Sequence, residues 1–337
     1  FVNLYYKIIK AAVFMAVFYA LNAFLHFAFL GKPASALGVA VIHTAFNVVS
    51  VILIYPFTQV LEKLVYLTIP KSDAENQAQE AVGREIQILD SRFLSRPGLA
   101  LEHCKNAAID MANLARESLF LSIQLLESFD KKAADKVIEL EELVDNYEDE
   151  LGSYLVKLSS KHLTEKDSQE ISVLLHSIGD FERISDHAIN IMESAEEMHE
   201  KKLYFSRKAE EELKIFTEAI KDIVNTTVQV FQQEDLKLAA MVEPMEEAVD
   251  NLNSEIKKRH VKRLRKGKCT IEMGFVLSDI TTNYERVSDH CSNIALCLLQ
   301  LNEENFGTHG FQDSMSVKDN AAFTAEVNRL KEHYQLP

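Results

Sequence analysis

Two stretches of the chain, FERISDHAINI beginning at Phe181 and YERVSDHCSNI beginning at Tyr284, agree at seven of eleven positions. The agreement falls mostly on polar residues: Glu182, Arg183, Ser185, Asp186, His187 and Asn190 superpose on Glu285, Arg286, Ser288, Asp289, His290 and Asn293 at an offset of 103. A second match, EELVDNYEDEL from Glu141 with EEAVDNLNSEI from Glu246, pairs Asp145 with Asp250 and Asn146 with Asn251. Such self-similarity limits the body to two copies of one supersecondary unit. Apolar residues recur at helical period from Leu99 to Leu301, with breaks near Phe129-Asp130, Thr164-Glu165, Tyr204-Ser206, Gln233-Asp235 and Gly267-Thr270. That predicts six helices of about twenty to thirty-five residues, three per copy, in an all-α fold. The pattern breaks at NEENFGTHGFQDS, and a short helix is expected over Ala321 to His333.

The beginning of the chain has a different composition. Residues 11–30 and 34–55 carry no formal charge, each segment is long enough to cross a bilayer, and only Gly31-Lys32-Pro33 separates them. They read as a transmembrane helical hairpin, and Lys7, Lys10, Lys63 and Lys71 outside the turn place both ends on the cytoplasmic side. His43 and Asn47, at i and i+4 in the second span, share a face and are candidates for helix packing or a membrane pathway. The start at Phe1, inside apolar sequence, suggests a piece of a longer protein. The expected organisation is a hairpin over 1–70, a polar linker over 71–98, a double three-helix bundle over 99–302 and a tail over 303–337. The expected location is the inner (cytoplasmic) membrane, in contact with its lipids, with the body in the cytoplasm.

The net charge of −15 is uneven, because residues 1–70 hold four Lys and one Glu, which leaves −18 on the rest. An acidic body excludes a general nucleic-acid binder and suits a domain that handles cations. The four cysteines show no metal-finger spacing and read as buried thiols. Within each copy, Glu-x-x-x-Asp occurs on the second helix (Glu141 and Asp145; Glu246 and Asp250) and again on the third (Glu182 and Asp186; Glu285 and Asp289). The i, i+4 spacing puts both carboxylates on one helical face, and antiparallel packing would converge four of them in each bundle. Like charges so placed resist ionisation unless a cation sits between them. Oxygen ligands suit Mg, Mn, Ca or Fe, while His187 and His290 lie close enough in sequence to serve a borderline ion such as Zn. The competing reading is an ordinary solvated face. Against it, the polar stripe is kept between the copies while Phe181/Tyr284, Ile184/Val287 and Ala188/Cys291 differ. Arg183 and Arg286, one position beyond the ligand glutamates, point about 100 degrees away and should pair with neighbouring acids or the partner bundle rather than face the metal.

The doubled ERxSDHxxNI blocks, each paired with EExVDN on the preceding helix, resemble the PhoU family. The resemblance covers about Leu99 to Leu301. It implies two three-helix bundles, Glu/Asp-x-x-x-Asp motifs that hold metal clusters of divalent or trivalent ions (Fe, Zn, Mn or Mg), and a role in the control of phosphate uptake. Together with IHTAFN from Ile42 and LDSRFLSRPGLAL from Leu89, the whole is similar to the carboxy-terminal part of a bacterial type II sodium-phosphate cotransporter, whose PhoU-like domain follows the membrane portion. That resemblance implies a missing amino-terminal transporter portion, with sodium and phosphate as ligands of the full-length protein. The Gln-Ser-Ser segments that carry sodium and phosphate in that family are absent from this chain, which alone should not transport. Pro244, two residues before Glu246, means that the helix of the second copy begins there or kinks.

The residues also admit other function classes. In a membrane-anchored sensor or signalling adaptor, the bundle would dock a regulatory protein partner or a second copy. A di-metal carboxylate oxidase would need Glu-x-x-His on two helices, and only Glu196 with His199 shows that spacing convincingly. With no nucleophile triad, phosphate-cradling glycine loop or dinucleotide fingerprint, the chain reads as a non-enzyme. One cationic run, KKRHVKRLRKGK from Lys257 to Lys268, interrupts the acidic body and reads either as a helix end complementing its dipole or as a contact for anionic headgroups.

Overall fold

The structure is a computed structural model that describes residues 91–306 and 321–337, with seven further positions between residues 15 and 26. The chain divides into two compact units, Phe1–Gln77 and Ala78–Pro337. The expected hairpin, with His43 and Asn47, and most of the linker lie outside the described residues. Among the described residues no helix is long and apolar enough to cross a membrane. The expected inner-membrane placement is corrected on that finding: the described helices are amphipathic, with their apolar stripes spent on one another.

The second unit is all-α. After a turn of 3-10 helix at Ser91–Ser95 come α1 (Pro97–Glu127), α2 (Lys131–Ser159), α3 (Glu165–Lys201), α4 (Arg207–Gln233), the single turn α5 (Leu236–Ala239), α6 (Val242–Arg265), α7 (Ile271–Phe306) and α8 (Ala321–His333). Helices α1, α2 and α3 pack on one another as the first bundle, and α4, α6 and α7 form the second. The bundles meet chiefly along α3 and α7, with a smaller contact between α1 and α4. Helix α8 lies against α6 and so adds a fourth helix to the second bundle.

Local chemistry sets the boundaries. Helix α1 starts at Pro97, whose missing N–H costs nothing in a first turn. Its buried seam of Ala100, Cys104, Ala108, Ala112, Ala115 and Leu119 recurs every three or four residues. Small side chains on that seam allow α1 to touch α2 and α3 together. Asp130 caps α2 by accepting from the Ala133 N–H at 3.0 Å. Thr164 and Asp167 form a reciprocal capping box on α3, both bonds 3.1 Å long. Pro244 falls in the first turn of α6, so the helix begins there rather than kinking. The chain leaves α6 through Gly267 at φ +63°, a left-handed conformation that glycine adopts without strain. Gly274 on α7 meets α6 so closely that a Cβ there would stand 3.0 Å from His260 Nε2.

The core contains Phe181, edge-on to Phe231 of α4 at 5.0 Å. Its repeat counterpart Tyr284 is edge-on to Phe216, also of α4, at 5.2 Å, with its hydroxyl 2.9 Å from Thr217 Oγ1. Both anchors of the repeat thus bear on the same helix. Cys104 and Cys291 are buried, with thiols pushed up to about 12 by desolvation, while Cys269 and Cys297 are half-buried. Deleting the fully buried Phe181 ring by Phe181→Ala should cost about 3–5 kcal/mol of stability. Removing the α3 cap by Thr164→Ala should cost only about 1 kcal/mol. Urea denaturation followed by circular dichroism measures both, and an equal loss in the two variants would contradict the anchoring role of Phe181.

Candidate metal centre

The packing of α2 on α3 brings Glu141, Asp145 and Asp186 together, with one carboxylate oxygen from each lying within 4.8 Å of the others. In the second bundle α6 and α7 repeat the arrangement with Glu246, Asp250 and Asp289. Oxygens sharing one cation at metal-oxygen distances of 2.0–2.4 Å lie at most roughly 4.8 Å apart, so both sets have the span of a coordination shell. The donor set is all oxygen, which fits hard cations and suits Zn less well. The pairs Glu141 with Asp145 and Glu246 with Asp250 each sit one helical turn apart on a face whose other side is apolar: Val144 and Tyr147 are buried on α2, Val249 and Leu252 on α6.

The other two expected ligands stand outside these trios. Glu182 is close enough to feel Asp186, Asp145 and Glu148, but its carboxylate lies 3.3 Å from Arg183 Nε. Glu285 accepts from Asn253 Nδ2 at 2.5 Å and stands 3.6 Å from Lys257 Nζ. Asn253 is the repeat counterpart of Glu148, so one position supplies an extra carboxylate in the first bundle and an amide that ties down Glu285 in the second. Glu148 was missed in the sequence, although its place seven residues after Glu141 puts it on the same α2 face. The arginines pair with neighbouring acids, and those acids are the trio aspartates: Arg183 donates to Asp186 Oδ2 at 2.9 Å and Arg286 to Asp289 Oδ2 at 3.2 Å. Asn146 and Asn251 donate back to the Glu142 and Glu247 carbonyls at 2.5 Å, a helical role with no part in the trios.

The two histidines join neither trio. His187 and His290 face each other across the α3–α7 contact, with ring centroids 5.6 Å apart. His187 Nδ1 lies 2.8 Å from Asn283 Oδ1, and His290 Nδ1 lies 2.8 Å from Asp180 Oδ1. Asp180 and Asn283 are themselves repeat counterparts, so the pairings are related by an approximate twofold, and their falling and rising numbers show that α3 and α7 run antiparallel. Burial holds the His187 imidazole below its ordinary value. The Glu-x-x-His pair is spent elsewhere as well: Glu196 takes Lys131 Nζ at 3.1 Å and His199 stacks on Phe129 at 4.9 Å.

Electrostatics follow from the convergence. Desolvation first, then Asp145, Asp186, Glu142 and Glu182, push the Glu141 carboxyl up to about 7. Asp145, Glu148 and Glu182 are each raised by desolvation and by neighbouring carboxylates, with Arg183 opposing.

A sequence profile for the PhoU domain matches residues 108–195 and 213–298, together more than half of the chain and one match per bundle. The chain belongs to the PhoU family. Among the relatives of that family, the phosphate-specific transport system accessory protein PhoU homolog 1 of Thermotoga maritima is 28% identical over 191 residues, covering 56% of this chain and 82% of that protein. The corresponding PhoU homolog of Aquifex aeolicus is 26% identical over 213 residues, 62% of this chain and 94% of that one. The crystal structure of PhoU from Pseudomonas aeruginosa superposes with a TM-score of 0.57 at 21% identity, over 60% of this chain and 97% of that chain, a likeness of fold. The carboxylate trios sit inside the two PhoU matches, on the second and third helices of each bundle.

A carboxyl raised on folding binds its proton more tightly in the folded chain than in the unfolded one, so the stability it contributes is lost as pH rises from about 4.5 to about 7. In the presence of a chelator the Tm should therefore fall over that window, and Glu141→Gln should flatten the fall. Melting curves that change with pH identically in both proteins would show that the Glu141 carboxyl is not perturbed.

Proposed function

We propose that the chain is a regulatory accessory protein of phosphate transport whose two bundles each bind a divalent or trivalent cation through a carboxylate trio. Glu141, Asp145 and Asp186 hold the first ion, and Glu246, Asp250 and Asp289 the second. Glu182 and Glu285 stand behind them as further ligands once a cation draws their carboxylates in. One observation carries the metal reading: the same three positions of each repeat bring their oxygens within 4.8 Å of one another, at different neighbours in sequence. The raised acids of the first bundle support it, because a cation is what would relieve their mutual repulsion. The ions, of the Mg, Mn or Fe class, would supply positive charge that locks the second helix of each bundle to the third. The protein's own groups do the rest: the arginines hold one oxygen of each trio aspartate, and the buried seam fixes the spacing. The accessory role rests on the family and on the named role of its relatives in phosphate-specific transport systems. Attachment to a sodium-phosphate carrier rests on the sequence of residues 1–70 and of LDSRFLSRPGLAL from Leu89, and gains no support from any described helix.

Elemental analysis of the full chain should find metal in both trios, with Asp186→Asn emptying the first and Asp289→Asn the second, each leaving the other filled. A bound ion raises stability by RT ln(1 + [L]/Kd), about 2.7 kcal/mol at a hundredfold excess over Kd. A protein that carries no metal, melts identically with chelator and tolerates both changes would refute the metal reading and turn the repeated face into a docking surface.

A further inference from the structure

The chain's net charge of −15 reverses at one end of the second bundle, where KKRHVKRLRKGK, residues 257–268, holds eight Lys or Arg and no acid. Three of these cations are used inside the fold. Arg259 and Arg263 reach the buried Glu212 at 3.4 and 2.6 Å, and Lys257 stands 3.6 Å from Glu285. The side chains of the remaining five, Lys258, Lys262, Arg265, Lys266 and Lys268, are exposed and make no ion pair among the described residues. Lys258, Lys262 and Arg265 follow i, i+4, i+7 spacing and so form one row along α6, with Val261, 46% exposed, in the same stripe. Beyond the Gly267 turn the chain returns along α6 as α7, whose first turns present Ile271 and Phe275 at i, i+4. These two apolar side chains are 72% and 68% exposed, in a helix whose other large apolar residues are mostly buried.

We propose that this end of α6 and α7 docks an acidic amphipathic helix of a partner protein. Sign comes from charge complementarity: five cations with no ion pair among the described residues call for carboxylates, and Ile271, Phe275 and Val261 call for an apolar stripe beside them. Shape comes from the surroundings. At the same end Lys201 is tied to Glu197 at 2.7 Å and Arg207 to Glu211 at 3.1 Å, while Lys201 also feels Glu272. With those neighbours neutralised, the principal α6 row is about 10 Å long, seven residues at the helical rise. A short row of cations with exposed apolar groups at the same end of the α6–α7 pair suits a rod of opposite charge. Recognition of this kind reads anchors at i and i+4 and is salt-sensitive. The docking surface does not depend on either metal trio.

The test uses the full chain and a fluorescent synthetic helix of about five turns, with Leu on one stripe and Glu on the flanks. A control peptide carries Gln in place of Glu, and vesicles of phosphatidylglycerol with phosphatidylcholine are run alongside. The acidic peptide should bind, bind less well as salt is raised, and lose about tenfold in affinity both with Lys262→Glu combined with Arg265→Glu and, separately, with Phe275→Asp. All three positions are exposed, so circular dichroism should show an unchanged fold. Equal binding of the Gln peptide, or equal binding by the variants, would overturn the proposal. Binding of the vesicles without binding of the acidic peptide would overturn it in favour of a lipid surface.

Discussion

Each carboxylate trio is held together by the apolar seam behind it. Two ionised carboxylates 4.8 Å apart at an effective dielectric of 20 repel by roughly 3 kcal/mol, and three pairs meet in each trio. Opposing this, Val144, Tyr147 and Leu151 of α2 and Phe181, Ile184, Ala188 and Ile191 of α3 are almost wholly buried. Each large apolar side chain so buried contributes about 1.5–3 kcal/mol. The seam wins, and the consequence appears as proton affinity: burial first, and then the neighbouring carboxylates, raise Glu141 to about 7.

The second organising contact is the antiparallel meeting of α3 with α7. Trio aspartates Asp186 and Asp289 each precede a histidine, and those histidines face one another across the bundle boundary. One repeated Asp-His pair therefore serves two purposes, the aspartate inside its own bundle and the imidazole between bundles. The approximate twofold is not strict. Asp180 answers to Asn283 and Glu148 to Asn253, so His290 faces a carboxylate where His187 faces an amide, and the first trio has an additional acid where the second has a tethered Glu285. The copies have diverged in the groups around the trios and not in the trios themselves.

Helix existence and most boundaries are legible in the residues because they depend on local chemistry, whereas α7 runs on through NEENF to Phe306, past the expected break. Caps at Asp130 and Thr164, the left-handed Gly267 and the early Pro244 act within a few residues of themselves: helices start at the first two and around Pro244, and α6 ends before Gly267. The single turn α5 was missed, since four residues carry no periodicity. Adjacency in sequence makes the two histidines ligand candidates, because it resembles adjacency in space. On a helix the next residue points about 100 degrees away, and here that direction leads to the other bundle. The inner-membrane placement came from residues 11–55 and has no counterpart among the described helices.

The sequence by itself determined an all-α body of two related three-helix units and the two helices of each that carry its acidic face. Helical period and self-similarity are properties of one chain read in order, so no tertiary information was needed. Only the tertiary structure decided which carboxylates meet. Glu141 with Asp145 and Glu182 with Asp186 have the same spacing, and both acids of the α3 pair lie near Arg183, so nothing local distinguishes Asp186, which joins the α2 pair, from Glu182, which stands outside it. That choice depends on the rotation and register of α3 against α2. Burial of side chains from three helices at once sets both, and no single helix contains that information.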